Sequence, residues 1–190
     1  MPLNIKDPVT EKLAAEVARL AGETKTGAIR RSLLERKERL ALQAGDLVVD
    51  IGANDGTLLL AYRRAGLDLV GFEPSNIRPL GETPQITFLR EFFSQAGLER
   101  LRGRAQAKVV TSIAMFYDLE DPNGFVAGVA GILAVDGLWV FEMSYLPLML
   151  KNNSFDTICH EHLEYYALAP IEALLSRHGL KVVDAELNDA

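Results

Sequence analysis

Residues 155–167 read FDTICHEHLEYYA and place Cys159, His160, Glu161, His162, Glu164, Tyr165 and Tyr166 within eight consecutive positions. Thiol, imidazole, carboxylate and phenol in one stretch allow three readings: a metal cluster, an acid/base site, or a polar loop whose histidines merely satisfy hydrogen bonds. Metal ligation needs ligands that converge by helical or hairpin spacing, and His-Glu-His is not H-E-x-x-H. Cys159 is also the only cysteine, so one chain can build neither a disulfide nor a cysteine-rich zinc site, and no metal is expected. An acid/base site makes a clearer demand. A carbon acid must lose a proton to a base with a pKa near neutrality, and histidine has one without adjustment. Glu161 is placed to orient an imidazole or to carry the proton onward, whereas His178, in the helical SRHGL, reads as a surface or packing residue.

A second concentration of chemistry is VVDIGANDGTLL at 48–59, where a buried strand ends in Asp50 and passes through Gly52, Asn54, Asp55 and Gly56 into a helix. Glycines permit a tight turn and close backbone approach, and the crevice beyond the carboxyl end of such a strand is where open α/β sheets bind nucleotides. The spacing is not G-x-G-x-x-G, so a nucleoside ligand such as S-adenosyl-L-methionine (SAM) is favoured over a dinucleotide with its pyrophosphate on the helix N-terminus. Glu73 follows at the end of the next strand, where a carboxylate can accept both ribose hydroxyl hydrogens. The plainer alternative makes Asp50 a buried turn acid and Glu73 a solvated one.

The elements that must position these residues alternate along the chain. Strands are expected over 47–51, 67–74, 108–116, 138–145 and 180–187, and helices over 57–66, 122–137 (ending at the Asp136-Gly137 turn), 146–152 and 170–179. That order implies an α/β fold with a mostly parallel sheet covered on both faces. The prolines at 74, 79 and 84 break the helix normally expected between the second and third strands. Ahead of a boundary near Ala44, a strand over the first seven residues turns Leu3 and Ile5 to one face and Asn4 and Lys6 to the other. Two amphipathic helices follow, running to Gly22 and then to about Leu40.

DIGANDG resembles motif I of the class I SAM-dependent methyltransferases, and on that resemblance residues 44–190 form a Rossmann-like, doubly wound domain. It implies Asp50, Gly52, Asn54 and Gly56 around the methionine part of SAM, Glu73 on the ribose, and Phe93 or its neighbour Phe92 against the adenine. It also puts Tyr117 and Asp118 beside the substrate. DTICHEH is similar to the D-T-I-(Tyr or Cys)-H-E-H motif of sugar C-methyltransferases. This implies a nucleotide-linked keto-deoxysugar as the small-molecule acceptor, His162 as the base that takes the proton alpha to the ketone, and Glu161 and His160 in support. Cys159 stands where that family often has tyrosine. The family usually also carries a cysteine-rich zinc segment before this domain and a region after it that helps to enclose the sugar, and the sequence matches neither. Only one strand follows the last helix, which leaves a sheet edge incomplete.

The 190 residues carry a formal charge of −6, split into +3 over residues 1–43 and −9 over the remainder. A basic start on an acidic body suggests separate partners, or simply a solvated helical face. LNIKDP followed by LAAEVARLAGETKTGAIRRSLLERKERL resembles the ribbon-helix-helix antitoxins of the VapB type. That likeness implies a homodimer with Asn4 and Lys6 facing DNA bases; a helical lead-in to the methyltransferase is the other reading. An inactive methyltransferase portion behind a DNA-binding regulator, or an O- or N-methyltransferase, are the competing functions. No apolar run nears the ~20 residues of a membrane span and the start lacks a signal-peptide layout, so a cytoplasmic location is expected.

Overall fold

The computed structural model describes residues 8–79, 86–155 and 158–187, with no side chains for 34–40. The strand expected at the start, with Asn4 and Lys6 on it, therefore lies outside the described residues. The chain divides into two compact units, Met1–Leu42 and Gln43–Ala190. In the first, α1 (Pro8–Ala21) opens on a proline, whose fixed φ suits the first helical turn, and α2 (Lys25–Leu40) follows after Gly22. Its buried positions are alanines: Ala14 and Ala18 on α1 and Ala28 on α2. Val9, Leu13, Val17 and Leu20 instead leave an exposed apolar stripe along α1.

The second unit is built on a sheet of five parallel strands in the order β3-β2-β1-β4-β5. They are β1 (Leu47–Ile51), β2 (Asp68–Phe72), β3 (Ile86–Leu89), β4 (Ala107–Ile113) and β5 (Leu133–Glu142). β1 is fully buried, as a central parallel strand rich in valine and isoleucine should be. Val49, Ile51, Val70, Phe72 and Val110 form one core with Leu98 of α4 (Gln95–Arg102) and with Val129 and Ile132 of α5 (Pro122–Ile132). The other face of β2 meets α3 (Thr57–Ala61) at Gly71, where an added Cβ would lie 3.1 Å from Leu59 and 2.9 Å from Ala53. α6 is Leu146–Asn152, and α7 (Leu168–Ser176) closes a second cluster around Phe116, Val126, Ile171 and Leu175. The strand order reverses between β1 and β4, and open α/β sheets bind ligands beyond the carboxyl ends of their strands at such a switch point.

Several expected boundaries differ from what forms, among them the strand expected over 108–116, which ends at Ile113, and the helix expected over 170–179, which forms as Leu168–Ser176. The helix expected over 122–137 ends at Ile132, and Asp136-Gly137 lies inside β5 as an irregularity that pairs Ala107 with Leu133 and Val109 with Leu138. Gly137 lets its backbone approach Ala107, whose carbonyl oxygen lies 2.8 Å from where a Cβ would stand, and Lys108 pairs with Asp136 across the bulge. The helix after the glycine loop stops at Ala61, since Tyr62 is already extended at φ −67° and ψ 118°. Residues 180–187 carry no strand: Leu180 and Val182 pack into the α7 cluster, while Val183 and Leu187 stay exposed. β3 and α4 were not read from the sequence; Ser94 starts α4 by accepting the Gly97 N–H at 3.0 Å. The proline-bearing stretch carries no helix over residues 74–79.

Candidate cofactor and acceptor site

Everything that holds the crevice hangs from the ends of β1 and β2. After β1 the backbone turns through Gly52 at φ 75°, Asn54 at φ 51° and Gly56 at φ 84°, the left-handed region that glycine enters freely and asparagine tolerates. The Phe72 carbonyl accepts the N–H groups of Gly52 at 2.9 Å and Ala53 at 3.0 Å, tying the loop to β2. Asp55, one residue ahead of the Gly56 N-cap of α3, closes a local turn, its Oδ1 accepting both the N–H and the hydroxyl of Thr57 at 3.0 and 2.7 Å. Gly56 is needed for space as well as for torsion, because its Cβ would stand 2.7 Å from the Phe88 ring.

Glu73 is buried at the end of β2, and its Oε2 accepts the Asn54 N–H at 2.8 Å while Oε1 accepts the Ser75 N–H at 2.8 Å. Burial pushes its carboxyl upward, but the bonds from Ser75 and Asn54 and the positive charge of Arg90 outweigh it, so the group sits below its ordinary value. Two oxygens offer about four acceptor positions, so capacity remains for a ligand's hydroxyl groups. Arg90 in turn donates to the Ser75 carbonyl at 2.9 Å and to the Ile77 carbonyl, fixing the rim beyond Glu73. Asp50 is only 3% exposed, and its Oδ1 accepts the Thr111 hydroxyl of β4 at 2.6 Å. Here burial wins over that bond and raises the carboxyl to about 6. Phe93 packs edge-on against Phe72 and Phe125, with centroids 5.2 and 5.4 Å away, whereas Phe92 is 81% exposed.

The neighbouring half of the crevice is built from the end of β4. Ala114 takes φ 53°, an unusual torsion for alanine, and donates its N–H to the Glu142 carbonyl of β5 at 3.1 Å. The next turn ends in Tyr117, whose carbonyl accepts the N–H groups of Leu163 at 2.9 Å and Glu164 at 3.1 Å. This anchor brings the His-Glu-His stretch to the sheet. The His162 ring lies 4.4 Å from the Tyr117 ring and 6.5 Å from that of Tyr165. Burial raises the carboxyl of adjacent Asp118; His162 pulls it down and Glu161 pushes it up. His160 and Glu161 project outward, 3.5 Å apart with side chains 89% and 70% exposed, and Cys159 is a half-buried free thiol. Tyr166 pairs with Tyr145, and its hydroxyl is buried without a hydrogen-bond partner among the described residues. His178 lies apart, 3.0 Å from Asn123.

Asp50, Gly52, Asn54, Gly56 and Glu73 thus gather at the carboxyl ends of β1 and β2, and His162, Tyr117 and Asp118 meet beyond the end of β4. Arg90, Ser75, Thr111, Phe88 and Gly71 were missed, because only the strand pairing makes them neighbours of the loop. A Gly in the middle of β2 was the one available hint, since such a glycine often marks close backbone approach.

A five-stranded parallel sheet of this order with helices on both faces is the Rossmann-like architecture of the class I methyltransferases. A family model described as a methyltransferase domain matches residues 9–185, and the chain belongs to that family. The chain is 38% identical over 154 residues to the C-methyltransferase NovU of Streptomyces niveus, covering 80% of this chain and 37% of that protein. It therefore spans little more than a third of that relative's length. The methyltransferase solved with the Trm112 activator of Haloferax volcanii shares the fold at TM-score 0.60 and 22% identity, over 95% of this chain and 80% of that one. The plantazolicin methyltransferase BpumL, solved with a desmethyl plantazolicin analog and S-adenosylhomocysteine, does so at TM-score 0.56 and 16% identity, over 90% and 64%.

Proposed function

We propose that the protein transfers a methyl group from SAM to a carbon of a small acceptor, a nucleotide-linked keto-deoxysugar, with His162 as general base. The observation that carries this reading is the seating of the His162 ring against Tyr117, in the turn after β4 whose Met115 side chain lies 3.5 Å from where a Gly52 Cβ would stand. The relationship to a named C-methyltransferase supports carbon as the acceptor atom.

The crevice residues suit the cofactor by their chemistry. Glu73 stays ionised with acceptor capacity left for the ribose hydroxyls, Asp50 offers a carboxylate to the cationic methionine end, and Gly52 and Asn54 keep the loop's backbone open to it. The exposed Phe92 and the packed Phe93 border the base, at the end of the segment after β3. When bound, the cofactor supplies an electrophilic methyl carbon. The protein's task is to generate the carbon nucleophile: an imidazole nitrogen of His162 takes the proton alpha to the ketone, and Glu161 and His160 receive or relay it toward solvent.

Calorimetry with SAM and S-adenosylhomocysteine tests the cofactor assignment, and affinity should fall at least ~10-fold in Asp50→Ala and Glu73→Ala. Transfer from 13C-methyl SAM to thymidine diphosphate-linked 4-keto-6-deoxyglucose, read by NMR, should give a methyl bonded to carbon, and His162→Ala should lower its rate by roughly 10²–10⁴. A methyl found on oxygen or nitrogen, or a His162→Ala chain of normal rate, would sink the assignment.

The exposed stripe of Val9, Leu13, Val17 and Leu20 favours a second reading, in which residues 1–40 pair two chains. DNA contact through Asn4 and Lys6 would accompany such pairing and should be lost with both residues changed to alanine in a mobility-shift assay.

A further inference from the structure

We propose that Tyr117 is a further catalytic residue: its phenol, held against the His162 imidazole, donates the hydrogen bond needed by the carbonyl oxygen of the acceptor as negative charge develops there. The inference rests on the carbon-methylation reading and adds the group that reading lacks. Removing a proton alpha to a ketone leaves the C–H electron pair as a new C=C bond and moves the C=O π pair onto oxygen. A base alone does not stabilise that oxygen, and a donor aimed where charge appears does.

The neighbours of His162 narrow the choice of donor. Cys159 offers only a weak S–H donor, and His160 and Glu161 project outward. The Tyr166 hydroxyl is buried beside Phe116, in the apolar cluster under α7. Tyr165 meets His162 at the longer distance of 6.5 Å. Tyr117 lies at 4.4 Å with the two rings tilted by 57°, so its phenol ring and the imidazole are in direct contact. Its own carbonyl holds Leu163 and Glu164, so the element that brings the base also fixes the donor. Burial first, then the charges of Asp118, Glu142 and Cys159, raise the phenol above its ordinary range and keep it protonated, as a donor must be. Atoms and electrons balance through the step. The α-proton ends on His162, the enolate carbon's pair forms the C–C bond as the carbonyl re-forms, and the methyl–sulfur pair leaves with sulfur as S-adenosylhomocysteine.

The test uses the full chain, S-adenosylhomocysteine and thymidine diphosphate-linked 4-keto-6-deoxyglucose in deuterated water, and follows deuterium entry alpha to the ketone by NMR. Tyr117→Phe keeps the ring against His162 and removes only the hydroxyl. Exchange and methyl transfer should both fall by roughly 10²–10³, with the SAM affinity unchanged and KM altered far less than kcat. Adding Cys159→Tyr, which returns a phenol to the loop, should recover at least ~10-fold of that loss. Exchange in Tyr117→Phe within about threefold of the parent chain would overturn the assignment while leaving the base intact. A parent chain that neither exchanges nor methylates this sugar would overturn both readings together.

Discussion

Two buried carboxylates a strand apart are tuned in opposite directions, and the cause lies in what each accepts. Glu73 takes two backbone N–H groups and faces Arg90, while Asp50 has one hydroxyl to set against its burial. Asp50 binds protons more tightly folded than unfolded, so its contribution favours the native state at pH 4 and is lost as pH rises through about 6. Asp50→Asn keeps an oxygen for Thr111 and removes the charge. It should be more stable than the parent at pH 7, by roughly 2–3 kcal/mol at about 1.4 kcal/mol per pKa unit, with the gain vanishing near pH 4. Urea titrations at the two pH values measure this, and an equal difference at both would reject the shift. Glu73 has the opposite sign: its ionised form supports the fold above the ordinary glutamate range, and that support is lost as pH falls through its depressed value. At this scale the sequence was informative, because carboxylate, glycine and imidazole announce themselves by type and spacing. The direction of each shift was not, since it depends on Thr111 and Arg90, which the fold brings in from β4 and the end of β3, and on the turn that aims the Ser75 N–H at Glu73.

Among the elements, the glycine loop and β2 depend on one position. At Gly71 a Cβ would meet Ala53 at 2.9 Å and Leu59 and Phe88 at 3.1 Å, so the strand, the loop, α3 and β3 pack together only over a bare backbone. Gly71→Ala should cost about 1–3 kcal/mol in chemical denaturation, as overpacking does. It should also weaken SAM binding, because Ala53 sits inside the loop; unchanged stability would mean that α3 yields easily. β1 was legible because a fully buried parallel strand reads as a continuous apolar run, and β4 because Val109, Val110 and Ile113 mark a partly buried one. The end of α5 was not. GFVAGVAGILAVDG is apolar without a decisive period, and the pairing with β4 pulls Leu133 onward into a strand. The alternation at 180–187 likewise signals a strand that packing against α7 uses otherwise.

Over the whole molecule, every residue assigned to the crevice and to the base belongs to Gln43–Ala190. A chain of residues 43–190 should bind SAM within about threefold of the full chain, and a larger loss would show that the helical unit completes the site. Leu13→Lys, on the exposed stripe of α1, should abolish any concentration-dependent sedimentation of the full chain if that stripe joins two copies. The alternating order of strands and helices was readable from hydrophobic pattern. The sheet order, which puts β4 beside β1 and so brings the turn after β4 to the glycine loop, is a product of long-range packing.

β5 pairs with β4 on one side, and among the described residues no strand pairs with the other. Leu138 and Val140 face outward from it, and Val135 is fully exposed in the bulge. Such a selvage invites a strand from another molecule, which makes it the place where concentrated solutions should begin to precipitate. The Asp136-Gly137 bulge already bends part of that edge away, and a lysine at Val140 would set a charge on the straight remainder. The Val140→Lys protein should stay dispersed at concentrations where the parent clouds.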